Sequence, residues 1–221
     1  MKLLLNAVTK YLLGLIITII LIFIPAGSFN YINGWLFICL LFIPMFIVGI
    51  IMFIKNKELL ERRLNAKEKL NDQKIVILLS GIMFISGFVV AGLNYRYKWI
   101  ELPNIVVIIS TITFLISYLL YGEVLRENTY LSRTIEVKKD QKVIDTGLYG
   151  IIRHPMYLVT IILFLSIPLI LNSLITLIIF LIYPIIIIKR ISTEEKLLEK
   201  ELKGYKEYKK KVKYKLIPYI W

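Results

Sequence analysis

The sequence predicts an all-α, polytopic integral membrane protein, a helical bundle with five or six spans. Of its 221 residues, 58% are hydrophobic and 19% are charged, and the mean hydropathy is +0.74. A soluble globular domain is closer to half apolar and a quarter charged. The apolar residues are also grouped into runs near the ~20 residues that a helix needs to cross the hydrocarbon core of a bilayer.

The first half of the chain contains four long apolar runs, each predicting one membrane-spanning helix: 3–24, 34–54, 75–93 and 105–121. Segment 55–74, between the second and third runs, carries seven Lys/Arg residues and is predicted as a helix along the membrane surface. Gly81 and Gly87 in the third run are small residues of the kind that let helices approach closely. We expect residues 1–121 to form a transmembrane region and residues 122–221 to carry the functional groups.

The second half predicts a helical hairpin followed by an amphipathic surface helix. The apolar runs 156–171 and 174–188 are joined at Asn172-Ser173, and each is short for a complete crossing. From 191 to 212 the chain is charged, but apolar residues recur at helical spacing, which is typical of a helix lying on the membrane face. These residues are Ile191, Leu198, Leu202, Tyr205, Tyr208 and Val212.

The distribution of Lys and Arg predicts a multi-pass protein of the cell membrane with both termini in the cytoplasm. The N-terminus has two of these residues, segment 55–74 seven, segment 122–153 six and the tail from Lys189 eleven. The connections assigned to the outside hold only Arg96 and Lys98, which completes the total of 28. Basic residues collect in cytoplasmic loops. The net charge of +13 is therefore explained by topology and anionic lipid head groups, and a nucleic-acid partner is not expected.

Segment 147–157 concentrates polar groups directly before an apolar run. Arg153, His154 and Pro155 stand at its end, flanked by Tyr149 and Tyr157. One interpretation is a helix start at Pro155 with a basic flank that anchors to lipid phosphates. The other is a site in which the basic pair and the N-terminal dipole of the helix hold an anion. Charged groups at a membrane segment favour a functional hypothesis.

A second polar group follows the hairpin. Arg190 and Glu194 are four residues apart and share one face of a helix, with Glu195 beside them. As an exposed ion pair they would contribute little to stability. If the hairpin closes, however, they meet Arg153 and His154 at one membrane face. An acidic group near a basic group at the edge of an apolar cavity would suit a zwitterionic ligand.

The combined motifs resemble the isoprenylcysteine carboxyl methyltransferase family, which is related to membrane phospholipid N-methyltransferases. The resemblance covers about residues 120–221. It is carried by Gly147-x-Tyr149-x-x-x-Arg153-His154-Pro155-x-Tyr157, by Arg190-x-x-x-Glu194-Glu195-x-x-Leu198, by Tyr205-x-x-Tyr208 and by Leu216-Ile217-Pro218.

The resemblance implies a methyltransferase that uses S-adenosylmethionine at the cytoplasmic membrane face. The methyl acceptor would be a lipophilic small molecule, or a prenylated or lipid substrate, that enters from the bilayer. Arg190 would face this acceptor, and Glu194 would stand beside both acceptor and cofactor. The predicted cofactor-binding residues are Gln141, Lys142, Val143, Ile144, Tyr149, Arg153, His154, Pro155, Met156, Tyr157, Glu194 and Glu195.

The chemistry of methyl transfer is consistent with these residue types. A carboxylate acceptor is already a nucleophile, and Arg190 would orient it through paired hydrogen bonds. An amine acceptor would have to lose a proton, for which Glu194 or Glu195 is the nearest base. Neither route needs a metal. One cysteine and one histidine in the whole chain exclude the usual His- or Cys-rich metal clusters.

Two other classes of function remain open from the sequence. A membrane reductase of the steroid-reductase type has a similar C-terminal region and would use a nicotinamide cofactor. A non-catalytic membrane scaffold would have a tightly packed hairpin without a cavity at its cytoplasmic end. A transporter is disfavoured, because the two halves show no repeat and no ionisable residue lies near mid-membrane.

Overall fold

The protein is an all-α membrane bundle, as predicted. The computed structural model describes residues 2–65, 71–132, 134–137 and 140–221. A short 3₁₀ turn, Gly147–Gly150, precedes the hairpin. In chain order the α-helices are α1 (Lys2–Ala26), α2 (Ile32–Lys55), α3 (Lys57–Leu64), α4 (Asn71–Tyr97), α5 (Asn104–Glu127), α6 (Pro155–Ile170), α7 (Leu174–Phe180), α8 (Ile182–Glu201) and α9 (Tyr205–Lys211).

The four N-terminal spans are confirmed as α1, α2, α4 and α5, each a few residues longer than its apolar run. All four are long and apolar enough to cross a membrane, and α7 and α8 together supply a fifth candidate span, Leu174–Glu201. The chain is therefore a multi-pass membrane protein. Large apolar side chains along these helices are exposed at the perimeter, where lipid would cover them.

Of the predicted surface helix at 55–74, only Lys57–Leu64 forms a separate helix, α3. The residues from 71 onward begin α4, and residues 66–70 lie outside the described residues. Helix α3 begins at Asn56, whose side-chain oxygen accepts a hydrogen bond from the Leu59 backbone N–H at 3.0 Å. Leu59 and Leu60 are buried. The Lys10 ammonium of α1 donates to the Leu64 carbonyl at 2.6 Å. These contacts place α3 at the same end of the bundle as the start of α1.

The C-terminal hairpin is unequal in its two arms. Helix α6 has 16 residues, or about 24 Å at ~1.5 Å per residue, less than the ~30 Å hydrocarbon core. The return arm is longer than predicted, since α7 and α8 together form a 28-residue span that continues to Glu201. This arm is interrupted at Leu181. Pro184 explains the break because it has no N–H to donate to the Phe180 carbonyl.

The prediction of one amphipathic surface helix over residues 191–212 is wrong, both in the bounds of the helix and in what covers its apolar residues. Its first half is the end of α8, and α9 begins only after Gly204, which has a φ of +87° that favours glycine. The apolar residues of the second half do not face lipid. Leu202, Tyr205, Tyr208 and Val212 are buried and pack with Val137, Val143 and Leu198. The helical spacing of these apolar residues therefore reflects contacts inside the protein. Contact with a membrane surface would produce the same spacing.

The two glycines predicted at helix contacts differ. A Cβ at Gly87 would overlap the ring of Phe180, which is fully buried, so Gly87 does permit the close approach of α4 and α7. A Cβ at Gly81 would meet nothing within 4 Å. Gly81 therefore does not mark a close helix contact, and it lies beside the cavity described below.

The end of the bundle away from α3 is joined by neutral hydrogen bonds. Tyr31 donates to the Leu171 carbonyl, and the Asn33 amide donates to the Ile170 carbonyl at 2.9 Å. Asn94 bonds the Ile100 backbone in both directions and also the Asn172 carbonyl at 3.1 Å. These contacts tie the hairpin tip to the loops that precede α2 and α5.

Candidate functional site

A cavity of about 530 Å³ opens among α4, α5, the hairpin and the polar segment that precedes it. One part of the lining, here called the apolar wall, is predominantly apolar. The remainder, here called the polar wall, carries the hydroxyl, amide and charged groups of segments 128–144 and 190–208. The residues of the apolar wall include Val76, Ile77, Gly81, Phe84, Leu163, Phe164 and Ile187. The shape suits a ligand, or two ligands, with both a polar and an apolar part.

Tyr157 joins the two polar strips that sequence analysis expected to meet. Its hydroxyl donates to Glu194 Oε2 at 2.5 Å and accepts from Arg190 Nε at 2.9 Å. Arg190 and Glu194 share one face of α8 because they are one turn apart, and Tyr157 lies in the first turn of α6. All three line the cavity. The closed hairpin therefore presents a cation and an anion side by side, both held by one phenol.

Gln73 of α4 supports Arg190 from outside the hairpin. Its Oε1 accepts from a terminal nitrogen of the Arg190 guanidinium at 3.3 Å, and the side chain is completely buried. This role of Gln73 was not predicted, because a single glutamine at the start of an apolar run belongs to no motif that would indicate a site. The guanidinium is thus bonded on two edges by groups from two other helices.

Arg153, His154 and Glu195 form a buried ionic cluster behind the cavity wall. Arg153 Nε donates to Glu195 Oε1 at 2.7 Å, and His154 Nε2 lies 3.2 Å from the same oxygen. Lys209 approaches the other carboxylate oxygen at 3.6 Å. Arg153 and His154 reach the cavity lining, whereas Glu195 does not and acts as their counter-ion. The predicted role of Glu195 in contact with the cofactor does not match this placement.

The same pair is fixed through the backbone by the C-terminal segment. The Arg153 and His154 N–H groups donate to the Tyr214 and Lys215 carbonyls, both at 2.9 Å. The Arg153 guanidinium also donates to the carbonyls of residues 212 and 213 at 2.8 and 2.7 Å. Pro155 occupies the first turn of α6, where its missing N–H costs nothing, and it is buried outside the cavity lining.

The polar segment before the hairpin forms another part of the wall. Gln141, Lys142, Val143 and Ile144 all line the cavity. The turn that follows is held by Glu127, whose carboxylate accepts from the Leu148 N–H at 3.1 Å. Gly147 there has a φ of +48°, and a Cβ would overlap the Glu127 carboxylate. This turn places Tyr149 on the wall.

A cluster of two hydroxyls and one carboxylate on this wall was not predicted from the sequence. Ser132 Oγ lies 3.0 Å from Thr134 Oγ1, which in turn lies 3.1 Å from Glu136 Oε1. All three line the cavity. They stand in a stretch without helical or strand periodicity, so only tertiary structure brings them to the site.

Three tyrosines of the polar wall differ in how their hydroxyls are bonded. Tyr208 donates to the Tyr149 carbonyl at 2.8 Å. The buried hydroxyls of Tyr149 and Tyr205 have no hydrogen-bond partner of acceptable geometry, although Asn128 lies near the first. Burial is the main cause that raises the pKa of Tyr149 and Tyr205 well above the ordinary value, so both hydroxyls remain protonated and able to donate.

Residues 110–200 match the model of the isoprenylcysteine carboxyl methyltransferase (ICMT) family. This match supports ICMT family membership for the matched region. No curated protein matches the chain. The matched region contains α6, α7, most of α8 and the Tyr157–Arg190–Glu194 contact, and it confirms the resemblance seen in the sequence. Together with the membrane-spanning helices, this match supports a membrane methyltransferase.

The cavity gathers most of the predicted site residues of the ICMT region. Those on its lining are Gln141, Lys142, Val143, Ile144, Tyr149, Arg153, His154, Met156, Tyr157, Arg190 and Glu194, while Pro155 and Glu195 lie behind it. Tyr205 and Tyr208 lie beyond the matched region but share the same wall.

Proposed function

We propose that the protein transfers a methyl group from S-adenosylmethionine to a lipophilic acceptor at the cavity. The observation that carries this proposal is the Tyr157 hydroxyl, which bonds Arg190 and Glu194 between a polar wall and an apolar wall. ICMT membership favours methyl transfer over nicotinamide-dependent reduction. A cavity at this end of the hairpin argues against a packed, non-catalytic scaffold.

The groups on the polar wall fit S-adenosylmethionine in charge. This cofactor has a cationic sulfonium and an ammonium group, for which the Glu194 carboxylate and aromatic faces are suitable neighbours. It also has a carboxylate and an adenosine part that accept hydrogen bonds, which protonated tyrosine hydroxyls can donate. We assign the cofactor to this wall and the acceptor to the side of Arg190 and the apolar residues.

When bound, S-adenosylmethionine would supply a methyl group: an in-line nucleophile would form a bond to the methyl carbon as the bond from that carbon to sulfur breaks, and the neutral thioether S-adenosylhomocysteine would leave. For a carboxylate acceptor, the Arg190 guanidinium would hold the oxygens in line, and no proton would have to move. The Tyr157 hydroxyl and the Gln73 amide fix the guanidinium for this task. For an amine acceptor, the Glu194 carboxylate would take the proton. The apolar wall would hold the lipophilic part and exclude water from the reacting atoms.

We propose that the cavity opens toward the cytoplasm and that both termini lie there. The contacts of Lys10 with Leu64 and of Arg62 with the Thr129 carbonyl gather basic segments at the cavity end of the bundle. The positive-inside rule then supports a cytoplasmic face at this end. We keep residues 1–121 and 122–221 as functional regions, although α4 of the first region contributes to the cavity wall.

Binding of S-adenosylmethionine to protein purified in detergent tests the cofactor assignment. Glu194→Ala should weaken binding about tenfold or more, because a charge-assisted contact is lost. Glu123→Ala is the matched control, since Glu123 pairs with Arg126 on the α5 surface. Absence of saturable binding to the unaltered protein would overturn the proposed function.

Methyl transfer itself is tested with membranes that contain the protein and S-adenosylmethionine carrying a labelled methyl group. We expect label in the lipid fraction, and Arg190→Ala should lower the rate by about 100-fold or more, as for loss of one preorganised donor. Arg126→Ala is the control. A rate for Arg190→Ala within a few-fold of the unaltered protein would show that this guanidinium does not face the acceptor.

A further inference from the structure

Arg63 is a cation on the cavity lining that has no role in the chemistry described above. It lies on α3, outside the region that matches the ICMT family, and its side chain is partly buried. Its guanidinium donates to the Tyr121 hydroxyl of α5 and forms no ion pair with a residue that the structure describes. Its other N–H groups are not among the enclosed, unpaired polar atoms of the described residues. Those donors are therefore open to the cavity or to water.

The neighbouring Arg62 shows that this arrangement is specific to Arg63. Arg62 donates to the Glu58 carboxylate one turn earlier and to the Thr129 carbonyl at 2.6 Å. It is not part of the cavity lining. Neighbouring helix positions point about 100° apart, so one arginine joins α3 to the segment after α5 and the other faces the cavity. The positive charge of Arg63 is thus available to a ligand.

Arg63 and Tyr121 lie where the apolar part of the lining ends. The apolar run of α5 ends at Tyr121, and the exposed, ion-paired Arg126 follows within two turns. In a bilayer this boundary is at the level of the lipid head groups. Farther along α4 the lining continues into the bundle with Ile77 and Phe84. A lipid whose chains lie on the apolar wall would therefore bring its head group to Arg63.

The chemistry of a guanidinium at this depth favours a phosphate as its partner. The planar N–H groups of arginine match paired oxygens of an anion, and phosphate is the anion that bilayer lipids carry next to their acyl chains. Basic pockets between membrane helices on the cytoplasmic side bind such head groups. A partly buried charge is also screened less than an exposed one, so the attraction is stronger here than at the protein surface.

We propose that Arg63 binds the phosphate group of the lipid acceptor and so determines which lipids are methylated. The acyl or prenyl chains would lie on the apolar wall, and the reacting group would reach Arg190 and Glu194. This inference rests on the proposed function and names the acceptor class as a phosphate-bearing lipid. Tyr121 is a positioning residue, because its hydroxyl holds the Arg63 guanidinium at the cavity.

Binding of two short-chain lipids to the full-length protein in dodecyl maltoside tests the phosphate contact. The probes are dioctanoyl phosphatidic acid and dioctanoylglycerol, which differ only in the phosphate, and native mass spectrometry measures both affinities. Arg63→Gln should weaken binding of the phosphatidic acid about tenfold, as expected for loss of a charge-assisted hydrogen bond. It should leave binding of dioctanoylglycerol unchanged. Arg63→Lys should keep part of the preference, because the charge remains and the planar donor pair is lost.

Lys57→Gln is the matched control, since it removes one positive charge from the same helix. Lys57 is exposed, lies against the Phe53 ring and is not part of the cavity lining, so the preference for the phosphate should stay unchanged. An equal loss of preference in Lys57→Gln and Arg63→Gln would overturn the inference in favour of a general attraction to basic α3. An equal loss of affinity for both lipids in Arg63→Gln would also overturn it, because Arg63 would then only maintain the shape of the cavity.

The methylated product shows whether the phosphate-bearing lipid is the acceptor itself. Membranes that contain the protein are incubated with S-adenosylmethionine carrying a deuterated methyl group, and the labelled lipid is fragmented by tandem mass spectrometry. We expect a phosphate fragment from the labelled lipid, and about tenfold less label with Arg63→Gln when lipid is limiting. A labelled lipid without phosphate would overturn this inference and leave methyl transfer intact. Absence of any labelled lipid would instead contradict the proposed function.

Discussion

The two ends of the bundle are built from different interactions. At the end without the cavity, Tyr31, Asn33 and Asn94 are paired with backbone carbonyls, so neutral side chains satisfy neutral groups. At the cavity end, the buried side chains of Arg153 and His154 both contact the Glu195 carboxylate. Unpaired buried hydroxyls also stand there. The hydrogen bonds at the first end hold the helices together. The second end places charged and unpaired polar groups around the cavity.

The difference separates contacts that stabilise the fold from contacts that position side chains on the cavity wall. Neutral hydrogen bonds to backbone groups contribute modestly, but they leave nothing unsatisfied. A buried ion pair gains little net stability over an apolar pair, since desolvation offsets its attraction. Retention of Arg153 and Glu195 at the cavity end is therefore better explained by the placement of His154 and of the C-terminal segment on the wall. Three predictions test this contrast, in order of expected effect.

The largest effect is expected from Arg153→Met, which leaves the buried Glu195 carboxylate with weaker compensation. The side chains of Arg153 and Glu195 are 3% and 6% exposed, so the free energy of unfolding should fall by about 3–5 kcal/mol. Unfolding of the purified protein in mixed micelles with increasing sodium dodecyl sulfate measures the change.

The paired variant Arg153→Met with Glu195→Met serves as the control. Removing both charges should restore much of the lost stability, because no ion is left uncompensated. Binding of S-adenosylmethionine should remain weak in the pair, since His154 loses its carboxylate partner. A double variant as unstable as Arg153→Met alone would show that packing, and not charge, dominates at this end.

An intermediate effect is expected from Gly87→Ala on α4. The added Cβ would overlap Phe180, so the neighbouring helix must shift at a cost of about 1–3 kcal/mol. Gly81→Ala on the same helix is the control, because its Cβ meets open space beside the cavity. Thermal unfolding should show a loss for the first variant and none for the second. Equal losses would contradict the assignment of one glycine to packing and the other to the cavity.

The smallest effect is expected from Tyr31→Phe at the end without the cavity. It leaves the Leu171 carbonyl without its donor and should lower the free energy of unfolding by about 1 kcal/mol. Tyr205→Phe at the cavity end should not lower it, since that hydroxyl has no partner to lose. The comparison is made by the same micelle titration, and a loss of equal size in both variants would remove the distinction between the two ends.

The sequence predicted the parts of the fold that depend on local periodicity. Long apolar runs define α1, α2, α4 and α5, because a helix in lipid must satisfy its own backbone. That the two polar strips meet was also predictable, since a short connection forces the two arms of a hairpin together. These features need only spacing and hydropathy. The pairing differs from the expected one, because Tyr157 contacts Arg190 and Glu194, while Arg153 and His154 contact Glu195.

Other features depended on contacts between distant segments and were not predictable. Gln73 reaches Arg190 from 117 positions away, and a single glutamine has no pattern around it. The apolar face of residues 202–212 was assigned to lipid because helical spacing does not show what covers a face. Glu195 looked equivalent to Glu194 in sequence, but neighbouring helix positions point about 100° apart, so one faces the cavity and the other does not.

The Arg153 guanidinium finds its carbonyl acceptors at residues 212 and 213, some 60 positions later in the chain. During synthesis, α6 is therefore made well before the segment that holds its first turn. Until residue 213 has left the ribosome, a newly made hairpin has an arginine at its base without these acceptors. The wall of the cavity that Arg153 helps to form is thus completed only after residue 213 has been made.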